Sequence, residues 1–144
     1  MNDAKWLEHA RGRVRAGGHR VGGAREEVME LLARQHCCLT AQQIHDGLRE
    51  EDRSVGLASV YRALDLLTGL GLVHRLDVEG TAGYEPAHPD GEHHHHLVCS
   101  TCGRVDTFED PALERAIERL SARVGYSVDE HDVVLRGACS ACAA

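Results

Sequence analysis

The chain has 144 residues, 42% of them hydrophobic and 27% charged, with one Trp, one Phe and three Tyr, a composition that fits one ordinary soluble domain or two small ones packed on aliphatic side chains. No apolar run approaches the roughly 20 residues a membrane span needs, and "MNDAKWLEHARGRVRAGG" lacks the apolar centre of a signal peptide, so the expected compartment is the cytoplasm, where paired cysteines hold metal more often than they form disulfides. The formal charge of -7 argues against a nucleic-acid partner only as a sum, since 11 Lys and Arg face 12 Asp and Glu up to residue 80, and 5 face 11 after it.

Within the balanced half, Arg11, Arg13, Arg15, Arg20 and Arg25 fall in an acid-free stretch, the composition of a phosphate-contacting patch or of a solvated basic face. From Ala24, the residues Val28, Leu31 and Leu32 recur at helical spacing. Thr40 with Gln43 three positions on resembles a capping box that opens a second helix, with Ile44 and Leu48 inward. The stretch "GLASVYRALDLLTGLGLV" predicts a third helix with Leu57, Val60, Leu64 and Leu67 on one side and Ser59, Tyr61, Arg62 and Asp65 facing elsewhere, ending near Gly69 or Gly71. "LVHRLDVEG" and "AGYEPA" then flank a Gly-rich turn and predict a hairpin. Three helices followed by a hairpin is the order of a winged helix-turn-helix, in which the last helix enters the major groove. There Arg62 is placed to reach guanine edges or phosphate, and Tyr61 a thymine methyl or a phosphate.

The remainder changes character. "HHLVCSTCGRVDTFED" reads as strand, tight turn and strand; "PALERAIERLSARVG" reads as a helix opened by Pro111, with Leu113, Ile117 and Leu120 on one face; "YSVDEHDVVLRG" reads as a closing strand. Such a unit buries little alone, and pairing with a second copy into a homodimer is expected. The fold class is therefore α+β, with a winged helix-turn-helix over residues 1–86 followed by a small α/β dimerisation domain over 87–144.

Cys99 and Cys102 are two residues apart, as are Cys139 and Cys142, the repeated spacing by which two chain turns build a tetrahedral zinc site; two redox dithiols are the other reading. With four thiolates the zinc is structural and has no open position for catalysis. The motif "PDGEHHHHLVCSTCGRV" puts four histidines just ahead of the first pair, internal and too few for a purification tag. If they lie on a strand, alternation sends His94 and His96 to one face and His93 and His95 to the other. Further ligands are offered by Glu114 on the helix and His131 on the last strand for one site, and by Glu85 with Cys38 as an additional candidate for the other.

With these pieces in order, the chain resembles the ferric uptake regulator family of metal-dependent repressors from about Gly18 to Cys142, on "VGLASVYRALDLLTGLGLV", "HHHHLVCSTCG" and "GYSVDEHDVVLRGACSAC". The resemblance implies a winged helix and a dimerisation domain, operator DNA as partner, and DNA affinity switched on by a regulatory divalent metal, zinc or ferrous iron. By position, Cys99, Cys102, Cys139 and Cys142 match the family's structural zinc ligands. His93, His95, Glu114 and His131 match the site inside the dimerisation domain, and Glu85, His94 and His96 match part of the sensing site at the hinge. The remaining hinge ligand, usually a histidine, falls at Cys38, with His74 and His88 as substitutes; a sulfur donor there favours zinc over ferrous iron, whereas Glu85 following Tyr84 is similar to iron-type members. Arg25 matches the family arginine, while Gly22 and Gly23 stand where relatives carry a better helix start. Neither a membrane nor a small organic substrate is expected. The alternative readings are a peroxide sensor of the same fold and a zinc-dependent hydrolase, the latter without an H-E-x-x-H motif.

Overall fold

The computed structural model describes residues 3–35, 38–89 and 93–143, so Asp90, Gly91 and Glu92 of the histidine motif lie outside them. The chain divides into two compact units, Met1–Glu92 and His93–Ala144.

Among the described residues of the first unit four helices precede the hairpin where the sequence predicts three. The additional one is α1, Asp3–Ala16. Its apolar residues Trp6, Ala10 and Val14 recur every fourth position and form a stripe that is fully buried. The indole of Trp6 also donates to the Leu72 carbonyl oxygen at 3.2 Å, so the helix is tied to the far end of the unit. Helix α2 spans Gly23–Ala33; its cap residue Gly22, at φ 124 and ψ 177, makes no side-chain hydrogen bond, in keeping with the weak start read from the two glycines. Side chains other than glycine rarely adopt that backbone, so a capping Ser or Thr cannot simply be installed there.

The two-residue strand β1, Leu39–Thr40, leads into α3, Ala41–Glu50. Thr40 Oγ1 accepts from the Gln43 N–H at 3.1 Å, and Gln43 Oε1 accepts from the Thr40 N–H at 2.9 Å, which completes the capping box. Helix α4, Leu57–Gly69, buries Val60, Leu64 and Leu67 and turns Tyr61, Arg62 and Asp65 outward. Strands β2, Val73–Val78, and β3, Thr81–Pro86, form the hairpin, and β1 pairs with the other edge of β3 to give the order β1-β3-β2. The chain stays with this unit past Pro86, because the buried Ala87 donates its N–H to the Leu72 oxygen at 2.9 Å. Helices, then a hairpin, around one aliphatic core is a winged helix.

The second unit is a sheet of order β5-β4-β6, built from β4, His95–Cys99, β5, Val105–Phe108, and β6, Val134–Gly137, together with α5, Pro111–Val124. Asp110 caps α5 by accepting from Ala112 N–H at 2.7 Å and Leu113 N–H at 3.1 Å, and Gly125 ends it in the left-handed region. The last strand is much shorter than "YSVDEHDVVLRG" suggests: residues 126–133 are not strand, and the ladder parallel to β4 runs from Val134 to Gly137. His131 therefore precedes the strand instead of lying on it. Helix α5 buries no residue, and Leu97, Leu120, Val124, Tyr126, Val128 and Leu135 are exposed. No helix among the described residues is long and apolar enough to cross a membrane.

Candidate functional site

The turn after β4 and the turn after β6 bring Cys99, Cys102, Cys139 and Cys142 together, with all four sulfurs within 4.8 Å of one another. The Sγ atoms of Cys102 and Cys139 are 3.9 Å apart. A disulfide needs about 2.05 Å, whereas zinc bonded to sulfur at about 2.3 Å has a tetrahedral edge of roughly 3.8 Å. All four cysteines are free and their sulfurs converge on one point instead of standing as two separate pairs, an arrangement that fits a shared metal. Backbone N–H groups of Cys139, at 3.3 Å, and Cys102, at 3.5 Å, point at Cys99 Sγ. These donors, Cys139's first, hold the Cys99 thiol down to about 6. Hydrogen bonding among the sulfurs, from Cys139 and then Cys102, pushes Cys142 up to about 12.

Elsewhere in the same unit, His93, His95, Glu114 and His131 form a second donor cluster, again with donor atoms within 4.8 Å. Glu114 sits in the first turn of α5, where the Asp110 cap fixes the helix start. Its Oε2 lies 2.7 Å from His131 Nε2 and 3.3 Å from His93 Nε2, and the two ring nitrogens are 3.2 Å apart. Its Oε1 lies 2.6 Å from His95 Nε2. Hydrogen bonding to His95, and after it to His131, holds the Glu114 carboxyl below the usual carboxylate range. Metal–nitrogen and metal–oxygen bonds of about 2.0–2.2 Å give tetrahedral edges of roughly 3.3–3.6 Å; the His93 separations of 3.2 and 3.3 Å lie near that range, while the 2.6 and 2.7 Å contacts of Glu114 with His95 and His131 are hydrogen-bond distances. His131 is not on a strand as the sequence predicts; the segment before β6 carries it to Glu114.

The rings of the histidine run pair by alternation. His93 stacks edge-on with His95 and His94 with His96, each at 5.2 Å between centroids. His95 and His96 are both buried. In the first unit, Glu85 is buried on β3 opposite His74 of β2. Cys38 is buried beside β3, its sulfur 3.3 Å from where a Cβ on Gly83 would stand. His88 follows β3.

On α4, Tyr61 is 46% exposed, and Arg62 Nη2 donates to Ser59 Oγ at 3.0 Å, an arrangement that holds an arginine head on the outward face. Arg20 is exposed, while Arg25 donates to its backbone oxygen. The basic stretch is less uniform than its composition implies. Arg11 is bound by Glu8 at 2.7 Å and by Glu26 through Nε at 2.7 Å, acids that lie outside the acid-free window in sequence but on neighbouring helical turns in space. Its charge is thereby engaged by carboxylates of the same unit. Arg13 donates to the Leu70 oxygen at 3.2 Å.

The model of the Ferric uptake regulator family matches residues 16–136. The chain is 33% identical over 135 residues to the Ferric uptake regulation protein of Neisseria meningitidis serogroup A, covering 91% of each. Among solved structures it is similar to the Helicobacter pylori ferric uptake regulator Fur, described as having three functional metal-binding sites, at TM-score 0.84 and 27% identity over 100% of this chain and 95% of that one. It is also similar to a zinc uptake regulator complexed with zinc and DNA, at TM-score 0.61 and 27% identity, covering 99% and 96%.

Proposed function

Because the chain belongs to the ferric uptake regulator family, whose members are metal-responsive DNA-binding regulators and not enzymes, we propose that it is a cytoplasmic, homodimeric repressor whose operator affinity rises when a regulatory divalent metal, zinc or ferrous iron, is bound. The observation that carries this reading is the pair of donor clusters in a unit separate from the helix that presents Tyr61 and Arg62. Such a chain separates metal sensing from DNA reading.

Cys99, Cys102, Cys139 and Cys142 hold a structural zinc, which supplies folding energy to the second unit. His93, His95, Glu114 and His131 form a second metal cluster. On the family resemblance, Glu85, His94 and His96 share the regulatory metal, with Cys38, His74 or His88 as the remaining donor. Ligands drawn from both units restrict the freedom of the two recognition helices in a dimer. DNA binding then loses less conformational entropy, provided the half-sites stand about one helical turn apart. Homodimerisation is supported by the exposed apolar residues of α5 and the sheet, which a second copy would cover. Base and phosphate contacts fall to Ser59, Tyr61 and Arg62, and to Arg20 and Arg25 at the start of α2.

An Arg62→Ala protein is expected to bind its operator more weakly by about 1–3 kcal/mol, with relaxed specificity at one base position and unchanged metal content. Anisotropy titrations against matched and mismatched duplexes check this; equal affinity for the operator would move the reading head away from α4. His96→Ala is expected to remain a folded, zinc-containing dimer whose DNA affinity no longer responds to added metal. His95→Ala, altered on the opposite face of the same strand, should lose stability and keep part of the response. Identical melting curves and metal-dependent binding curves for the two variants would reduce the histidine run to one loose cluster. Titration of the metal-free dimer with zinc, iron, manganese and nickel under anaerobic conditions, followed by operator binding, tests the function as a whole.

A further inference from the structure

The turn between α3 and α4, residues 51–56, leads straight into the helix that presents Ser59, Tyr61 and Arg62. Helix α3 ends with Asp52 in the left-handed region, at φ 58, and the Arg53 N–H donates back to the Leu48 carbonyl oxygen at 2.9 Å, so the chain reverses sharply here. Helix α4 then starts without a side-chain cap, since Gly56 offers nothing to its first N–H groups. Val55 and Leu57 pack against the core with only part of their surface buried, and apolar contact is non-directional.

Arg53 supplies the direction. Its Nη1 donates to Glu30 Oε2 at 2.7 Å and to Glu27 Oε2, both on α2, and its Nε stands 3.5 Å from Glu51 Oε2. Glu51 is held in turn by Arg34 Nη2, 2.9 Å from its Oε1, and the other oxygen of Glu30 lies 3.7 Å from Arg11 of α1. A planar guanidinium bonded to two carboxylates of a neighbouring helix fixes orientation as well as distance. The same contacts argue against the obvious work of a cation beside a DNA-reading helix, which is to bind phosphate. One positive charge stands among the carboxylates of Glu27, Glu30 and Glu51, surroundings that repel a phosphate.

We propose that Arg53 is a positioning residue for DNA reading: its bonds to Glu27 and Glu30 tie the turn before α4 to α2 and set the angle at which α4 presents Tyr61 and Arg62. Ser59, Tyr61 and Arg62 all lie in the first two turns of α4, nearest the entry that Arg53 holds. The inference rests on the reading of α4 as the helix that contacts DNA.

The test is a variant for which charge and position predict opposite signs. Glu27→Ala combined with Glu30→Ala removes two acids beside the turn into α4, which electrostatics alone converts into tighter DNA binding, whereas loss of the tie predicts weaker binding. The fold should survive, since alanine favours helix and part-exposed ion pairs contribute little to stability. The zinc-loaded full chain is titrated by anisotropy against duplexes that the parent selects from a randomised pool. The double variant is expected to bind them roughly tenfold more weakly, the size of coupling within one ion-pair network. Arg62→Ala should cost less in that background than in the parent, because a displaced α4 has less of that contact to lose. Arg53→Leu should also weaken binding, and Arg53→Lys, whose ammonium still reaches both carboxylates, should retain most of the affinity. Double-variant binding as tight as the parent's or tighter overturns the inference and leaves α4 as the reading helix. So does an Arg62→Ala cost equal in both backgrounds, or an Arg53→Lys protein as weak as Arg53→Leu. An Arg62→Ala protein indistinguishable from the parent on the selected duplexes overturns the placement of α4 at the groove, and the inference with it.

Discussion

Cys99→Ser protein is expected to lose its structural zinc and, with it, the folded second unit. The magnitude follows from comparing two quantities. Structural zinc sites contribute roughly 10–16 kcal/mol of apparent binding free energy at neutral pH, while whole domains are stable by only about 5–15 kcal/mol. In this unit the apolar contribution is small, since α5 buries no residue and the buried side chains of the sheet are His95, His96, Val98 and Cys99. Serine removes one thiolate and puts a shorter, neutral hydroxyl where the N–H groups of Cys139 and Cys102 point, a poor zinc ligand at neutral pH. Zinc analysis, circular dichroism melting and size-exclusion chromatography should show metal loss, loss of one cooperative transition and loss of the dimer together. A Cys99→Ser protein that melts like its parent and elutes as a dimer would leave the four cysteines without the structural role assigned to them.

Trp6→Ala is expected to be the most damaging single change in the first unit. Replacing a fully buried tryptophan costs about 3–5 kcal/mol through lost transfer energy and the cavity left behind, and here it also leaves the Leu72 oxygen without its 3.2 Å partner. Denaturant titration should show a lowered midpoint for the first unit, with the zinc content of the second unchanged. A shift below about 1 kcal/mol, the ordinary size of a surface substitution, would mean that α1 is an appendage and not part of the core.

Helix α1 is also where sequence reading fell short. The arginines between positions 11 and 25 drew attention to charge, while the spacing of Trp6, Ala10 and Val14 was present in the same letters. Ala10 carries too little apolar area to make a stripe conspicuous, so the helix is apparent only once Trp6 is taken as its anchor. The same charges misled in a second way, because Arg11 meets Glu8 and Glu26 across helical turns that a linear window does not sample. By contrast, α4 and the capping box of α3 were legible, since each depends on contacts three or four residues apart. The cysteine pairs were legible for a similar reason: the two-residue spacing is itself the geometry of a ligand turn. Glu114 and His131 have no such local signature. They became candidates through spare donor chemistry and family resemblance, and the division of Glu114 between His95 on one oxygen and His93 and His131 on the other lies below anything a residue pattern encodes.

The separation of the two cysteine pairs has a consequence for biosynthesis. Thirty-six residues lie between Cys102 and Cys139, which a ribosome adding about 5–20 residues per second takes roughly 2–7 s to make. During that interval the winged helix is already fully synthesised, whereas Cys99 and Cys102 exist as a lone dithiol without the Cys139 N–H that later points at Cys99. The metal cannot be enclosed until the second pair has been translated, and until then the first pair is exposed to thiol exchange and oxidation. If the four cysteines hold the structural zinc proposed for them, zinc supply in the interval around synthesis, and not only at the moment of sensing, bears on how many nascent chains reach the folded state.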